Sequence, residues 1–564
     1  MRRFPLADPL WEDGDRNAVE KTPGEYFSGI MGDGADQMVL RPLSRLFYLP
    51  LSSPAVNVNA LDEVPNSAWF TNRMGLNAFS VKDAGRGSCV GKPLDPKGPW
   101  IVVSAKPNGA NPGFFIKAAD GRRYLLKFDG PLQPQRATAA DVIGSKIYYA
   151  AGYFAPCNRV VYFRRSVLKM SPKATTKDEY GVKRAMTRED VESVLAMAFS
   201  LKDGLLRASA SEFLPGRPLG PFRYEGTRSD DPNDVIRHEN RRDLRGARLL
   251  AAWLNHFDTR EQNTLDVWVK DGGRHYIRHY YLDFGDCFGS RWALDGISRR
   301  LGYSYYLDLA DVGEDFITLG LLHRPWFHAR INPVSEIFGY YSSKRFVASK
   351  WKGGYGNPAF LEMEHGDALW MVRIIARFTD AHLREMVRQG RLTRTIDADY
   401  LVNTLARRRD LMVKEYLTRY SPLSHFRLVR RTPGSSVQSL CFEDLAIMRK
   451  VVDPKATLYK LRFMGGRKLE RRLGWLQFSP DLGHPKRSCV VLPLGTRRPS
   501  ELADKGAPDD DPMRYGEMKI FVHQDPSVPP TSSIHLYFYD LGPKRGFRLV
   551  GIRRPPRPLM PALY

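Results

Sequence analysis

The sequence predicts an α+β chain in four stretches, and three observations carry that expectation. Residues 1–98 are rich in Pro, Gly, Asn and Asp with weak hydrophobic periodicity, which reads as an irregular arm. From 99 to 425 strand-like and helix-like patterns alternate, strand-dominated over 99–216 and helix-dominated over 217–425. Over 426–564 short apolar runs recur between turn-rich segments, the pattern of a separate all-β, sandwich-like domain.

The elements follow in order. Trp11, Phe47, Tyr48, Trp69 and Phe70 are the apolar anchors of the arm, which is expected to wrap the lobe that follows. Trp100-Ile101-Val102-Val103 reads as a strand, Lys106 to Gly113 as a loop, and Phe114-Phe115-Ile116 as a second strand. Asp120-Gly121 is a hairpin turn leading into a third strand, Tyr124 to Phe128. Ala137 to Ala151 has few breakers and apolar positions at Val142, Ile143, Ile147 and Tyr148, so it reads as a helix; Asn158 to Phe163 is the next strand. Residues 187–199 form a short helix and 205–214 a strand ending at Glu212. Leu244, Ala247, Ala251 and Leu254 mark a helix over 241–257. Strands Leu265 to Val269 and His275 to Leu282 flank a second hairpin turn, Asp271-Gly272-Gly273. Three helices are expected over 367–419, with Thr379 and Asp397 as N-caps of the second and third. Beyond them come strands at Leu458–Phe463, Leu473–Phe478, Cys489–Leu494, Met518–Val522, Ile534–Tyr539 and Phe547–Ile552.

Composition narrows the class. With 43% hydrophobic and 26% charged residues the chain is an ordinary globular protein and not a disordered one. A net charge of +24 favours anionic partners, though a solvated basic surface accounts for it equally. The basic clusters Arg407-Arg408-Arg409, Arg427 to Arg431 and Arg553-Arg554 are not interleaved with any nucleic-acid motif, so nucleic acid is not the expected partner. Five scattered cysteines without a Cys-x-x-Cys argue against a zinc site or a disulfide framework, and Cys287 reads as a small buried hydrophobe. No apolar stretch approaches the length of a spanning helix and no signal-peptide core follows Met1, so the expected location is the cytoplasm.

Two segments carry the chemistry: His256-Phe257-Asp258-Thr259-Arg260-Glu261-Gln262-Asn263 and, further on, Leu282-Asp283-Phe284-Gly285. Phosphoryl transfer needs one carboxylate to orient the attacking hydroxyl, here Asp258. It also needs an Asn oxygen and a second carboxylate to hold magnesium, here Asn263 and Asp283. Taken singly, Asp258 and Asn263 are a polar loop after a helix, and Asp283-Phe284-Gly285 is a strand end and a turn. Upstream, Lys127 sits in an apolar strand where an unpaired ammonium is costly, and Asp141 on the next helix can pair with it. Asp is one methylene shorter than Glu, so the pair needs a close helix or a bridging water. Gly109 and Gly113 allow the loop to approach phosphates, although the loop is not G-x-G-x-x-G; Glu212 to Gly216 closes the strand over 205–214. No Gly-x-Ser-x-Gly, His-Glu-x-x-His, Walker loop or dinucleotide fingerprint is present.

Over 100–420 these motifs resemble the protein-kinase-like fold, in its atypical branches: the HipA-type bacterial kinases and the phosphoinositide-kinase-like enzymes, which share the Asp-to-Asn spacing of five. The resemblance implies two lobes with ATP and Mg2+ in the cleft, phosphates on Lys127, adenine against the backbone near Glu212, catalysis by Asp258 and metal on Asn263 and Asp283. Twenty residues separate Asn263 from Asp283, room for a longer hairpin than protein kinases use, and no Ala-Pro-Glu follows. The acceptor, a protein or a small molecule, is therefore not carried over, and the C-terminal domain is expected to recruit it. A nucleotide-binding scaffold without activity, an adenylyl transferase and a basic anion- or nucleic-acid-binding protein remain the alternatives.

Overall fold

Seven strands form the first sheet: β1 (Trp100–Ala105), β2 (Gly113–Lys117), β3 (Arg123–Phe128), β4 (Asn158–Phe163), β5 (Leu168–Lys177), β6 (Lys183–Ala185) and β7 (Leu206–Glu212), in the order β4-β7-β3-β2-β1-β5-β6. The structure is a computed structural model. It describes residues 3–26, 34–45, 53–106, 111–177, 182–201, 203–430, 438–464, 475–484, 487–492, 506–542 and 544–556. Phe47, Tyr48 and Gly109 lie outside them. All pairings in this sheet are antiparallel except β1 with β5. Apolar side chains of β1, β2, β3, β4 and β7, including Trp100, Phe114, Leu126, Phe128 and Phe163, form one core against the sheet.

A second sheet, β10-β9-β8, joins β8 (Arg217–Gly220), β9 (Thr264–Asp271) and β10 (Arg274–Tyr281). Residues 213–216 therefore connect the two sheets directly. The β9–β10 turn is two residues, Gly272 and Gly273, both at positive φ (56° and 79°), the backbone that a tight right-twisted hairpin requires. The helices that matter for the site are α1 (Val81–Arg86), α2 (Arg136–Ala151), α3 (Arg242–Leu254), α4 (His365–Ile375), α5 (Asp380–Gln389) and α6 (Thr395–Leu417). Nearly every residue of α2 is buried, which is why its sequence is apolar or small all round rather than striped. Thr379 caps α5 as expected, but α6 opens at Thr395 and Asp397 lies in its first turn, so Asp397 is not the N-cap.

The arm reaches further than expected. Trp69 stacks on His279 of β10 at 3.4 Å, Phe70 packs on Tyr153 and Trp370, and both belong to the large core shared with α2, α3 and α4. Phe4 meets Tyr537 near the opposite end of the chain. The arm thus packs mainly on the second sheet and the helices, because its aromatic anchors find their apolar partners there.

The C-terminal strands form two further antiparallel sheets: β11 (Leu423–Arg430), β12 (Gln438–Asp444) and β15 (Ser488–Leu492) in one, and β14 (Trp475–Phe478), β13 (Leu458–Met464), β16 (Tyr515–His523), β17 (Ile534–Asp540) and β18 (Phe547–Arg553) in the other. One apolar cluster draws on both, with Leu440 and Phe442 from the first and Leu461, Ile520 and Leu536 from the second. β11 begins at Leu423, three residues ahead of the expected boundary at 426, because it pairs with β12. Two disulfides overturn the expectation that none would form: Cys89–Cys157 and Cys441–Cys489, with only Cys287 free. The second joins residues directly opposite each other on β12 and β15, a proximity that sequence separation hides. Among the described residues, no helix is long and apolar enough to cross a membrane.

Candidate active site

Lys127 points inward from β3 and is 6% exposed. Its ammonium meets Asp141 Oδ1 at 3.2 Å and Asp283 Oδ1 at 3.0 Å. The pair with Asp141 is direct, without a bridging water, because α2 is sunk against the sheet. Asp141 is also held from three other sides. Its Oδ2 accepts from Ser209 Oγ on β7 (2.9 Å), its Oδ1 accepts from the Phe284 N–H (3.3 Å), and its carbonyl accepts from Asn158 Nδ2 on β4 (3.1 Å). Burial alone would pull the Lys127 pKa down, but the two carboxylates outweigh it and hold the ammonium above its ordinary range. Burial likewise works against ionised Asp283, yet Lys127 and Lys106 carry its pKa well below the usual carboxylate range.

The turn from Asp258 to Asn263 is delivered by the end of α3. Asn255 adopts the left-handed conformation (φ 52°) and its N–H returns to the carbonyls of Ala251 and Ala252, which stops the helix and swings the chain toward β9. His256 is fully buried, its Nδ1 2.9 Å from the Tyr148 hydroxyl and its Nε2 3.3 Å from Asp286 Oδ1. Burial pushes its pKa down to about 4, so it is a neutral structural post beneath the turn. Asp258 N–H donates to Asp286 Oδ2 (2.9 Å), and Asn263 Nδ2 donates to the Asp258 carbonyl (2.7 Å). Leu282 N–H donates to the Asn263 carbonyl (2.8 Å), which continues the β9–β10 ladder by one step. The twenty-residue gap between Asn263 and Asp283 is thereby closed by a single hairpin, and the two become neighbours.

Burial raises the Asp258 pKa to about 6; Arg260 Nε, 3.2 Å from Asp258 Oδ1, opposes the rise and Asp286 adds to it. Burial raises Asp286 further, to about 7. Asp283 stands at positive φ (48°), which turns its carboxylate toward Lys127 while Phe284 drops between α2 and His256. Gly144 on α2 makes room for that ring: a Cβ there would lie 2.6 Å from Phe284 Cβ.

The structure thus brings Lys127, Asp141 and Asp283 into one cluster, with Asp258 and Asn263 tied to it through the backbone. Two further expected residues, Gly113 and Glu212, have contacts of their own. Gly113 is required because a Cβ would lie 2.1 Å from the Leu126 carbonyl oxygen, a demand of β2–β3 pairing. Glu212 faces Arg122 at 3.5 Å, and its N–H donates to the Cys157 carbonyl while that of Phe213 donates to Arg123.

Sequence reasoning missed three members. Lys106 enters at the start of the β1–β2 loop, where burial lowers its pKa and Asp283 partly restores it. Ser209 is fixed by its place opposite Lys127 in the β3–β7 register, which no local pattern reveals. Asp286 lies three residues past Asp283, and its signal was a third carboxylate beside an Asp-Phe-Gly. His256, Asp286 and Cys287 bring potential ligand atoms within 4.8 Å of one another; His256 Nδ1 is taken by Tyr148, while His256 Nε2 and Asp286 Oδ1 are buried without a hydrogen-bond partner among the described residues.

The oxygen donors suit a hard divalent cation. Asn263 uses Nδ2 on the Asp258 carbonyl, which leaves Oδ1, and Asp283 uses Oδ1 on Lys127, which leaves Oδ2 on a side chain that is 35% exposed.

No family model matches this chain, and no curated protein matches it. Among the solved structures that match, two align with about half of it. A crystal structure of the Golgi casein kinase is 13% identical, over 50% of this chain and 74% of that chain, with a TM-score of 0.22. The same kinase with Mn/ADP bound is 14% identical, over 49% and 73%, with a TM-score of 0.23. At such TM-scores the likeness carries no argument, and the case for function rests on the site.

Proposed function

We propose that this chain is an ATP- and Mg2+-dependent phosphotransferase with a two-lobed, kinase-like core, the first sheet and α2 forming one lobe and the second sheet with α3 to α6 the other. The observation that supports it best is the convergence on Lys127 of Asp141 from the helix and Asp283 from the end of β10, beside the Asp258–Asn263 turn. Residues 99–216 and 217–425 would be the lobes, with 1–98 as the arm and the C-terminal strands as a sandwich-like domain for the acceptor.

Each residue has a part that its surroundings suit. Lys127, fully charged between two carboxylates, would hold the nucleotide phosphates, and Lys106 and the loop to Gly113 would lie over them. Asn263 and Asp283 would hold the magnesium ion, which supplies neutralising charge for the phosphates. Asp258 would orient the acceptor hydroxyl and accept its proton, with Arg260 keeping the carboxylate aimed. Catalysis of this kind is positioning and electrostatics more than covalent chemistry. The two disulfides favour an oxidising compartment over the cytoplasm as the place of work.

The test is transfer from ATP labelled at the γ or the α phosphate, to the chain itself and to a mixed lysate. Transfer of the γ label is expected, with Asp258→Ala lowering it on the order of a thousandfold, roughly 4 kcal/mol of barrier. Near-normal transfer in that variant sinks the assignment. Transfer of the α label alone makes the chain an adenylyl transferase, and nucleotide binding without transfer makes it a scaffold.

A further inference from the structure

A second site lies away from the Lys127 cluster, in the seam where the arm, α4 and the C-terminal sheets meet. A cavity of about 410 Å3 opens there. Arg373 of α4, Arg427 of β11 and Arg554 just past β18 line it, over an apolar floor that includes Leu61, Phe426 and Ile552.

Charge in this seam does not balance. Asp62 serves Arg242 (2.6 Å), Arg554 (3.1 Å) and Arg373 (3.7 Å), Glu63 serves Arg373, and Asp367 serves Arg242 (3.2 Å) and Arg245 (3.5 Å). Four guanidinium groups therefore share three carboxylates. The nearby Glu443 adds nothing to the deficit, because it is engaged by Arg377 (2.6 Å) and His425 (3.3 Å). The shortfall has an atomic expression: Arg554 Nη1 is buried without a hydrogen-bond partner, on a side chain that is only 4% exposed. Burial, with repulsion from Arg373, pulls the Arg554 pKa down to about 9, which is the response of a cation short of an anion. Arg427 lies on the exposed side of the cavity, and among the described residues no side-chain hydrogen bond or ion pair engages it.

An orphaned buried guanidinium, a free one at the mouth and an apolar floor make a matched set. The geometry points to a binding site for a small organic anion, its phosphate or carboxylate head between Arg554 and Arg427 and its apolar body on the Leu61–Phe426–Ile552 floor. Guanidinium groups recognise both head groups by paired charge-assisted hydrogen bonds, and the volume is that of a small-molecule pocket. Because the lining comes from the arm, α4 and β11–β18, the ligand would bridge parts of the chain that are distant in sequence.

The experiment is isothermal titration of the full chain with phenyl phosphate and with benzoate, at about 150 mM salt so that diffuse attraction to the basic surface is screened. Saturable binding at one site is expected, and the tighter probe identifies the head group. Arg427→Ala, at an exposed position where no change in melting temperature is expected, should weaken binding about tenfold or more. Arg188→Ala, which removes the same charge from a distant surface, is expected to leave it unaltered. Absence of saturable binding with either probe, or Arg427→Ala behaving like the parent, overturns the site.

Discussion

At the scale of single residues, Lys127 does two jobs at once. It is a buried cation between Leu126 and Phe128, both fully buried, and it neutralises two carboxylates that reach it from different elements. Its removal leaves Asp141, 1% exposed, facing Asp283 with nothing between them. Lys127→Met is therefore expected to cost about 3–5 kcal/mol of stability, the range for breaking a buried pair from one side. Chemical denaturation checks this, and a loss within experimental error means the cluster is not braced by the lysine. Lys127, Asp141, Asp258, Asn263 and Asp283 were legible in the sequence because each is a residue of definite chemistry in a definite order of elements. Ser209, Lys106 and Asp286 were not, because strand register and side-chain direction bring them in. Glu212 was legible as the end of a strand, and the direction of its carboxylate, toward Arg122, was not.

At the scale of elements, the contact between α2 and the Asp283-Phe284-Gly285 turn sets how closely the two halves of the site approach. Gly144→Ala improves the intrinsic helix preference of α2 by about 1 kcal/mol but forces the Phe284 ring aside, at about 1–3 kcal/mol. Stability should then fall by no more than about 2 kcal/mol. Nucleotide-dependent transfer should fall much further, because Asp283 moves with Phe284. Equal losses in the two assays mean that this contact supports the fold and does not aim the carboxylate.

In the C-terminal sheets, Asp444 accepts from the N–H groups of Ala446 and Ile447 and from the Tyr459 hydroxyl, and burial raises its pKa to about 6. The folded state therefore binds a proton more tightly than the unfolded one, and this group's contribution to stability falls as pH rises from about 4 to 6. The parent should lose roughly 2 kcal/mol relative to Asp444→Asn between pH 4.5 and 7, read from paired denaturation curves. A constant difference refutes the shift. Helices and strands with clear periodicity were legible at this scale. Strands β5, β6, β8, β11 and β12 were not, since β5, β6 and β8 are short of apolar alternation and each is fixed by a partner strand.

At the scale of the whole molecule, the disulfides decide how the parts stay together. Cys89–Cys157 spans 68 residues and fastens the arm to the start of β4, next to Asn158, which holds the carbonyl of Asp141. Cys441–Cys489 spans 48 residues and closes β12 against β15. Neither pairing was legible, because cysteines that far apart signal nothing until the sheets bring them together. Each bridge restricts the unfolded chain and should contribute about 2–4 kcal/mol. Thiol titration in denaturant is the direct check. Without reductant the unfolded chain should present one thiol, Cys287, and after reduction all five. The reduced chain should then unfold at markedly lower urea, with the arm becoming susceptible to proteolysis before the second sheet. If five thiols titrate without reductant, the chain is held by packing alone, the preference for an oxidising compartment falls, and a cytoplasmic location regains its standing.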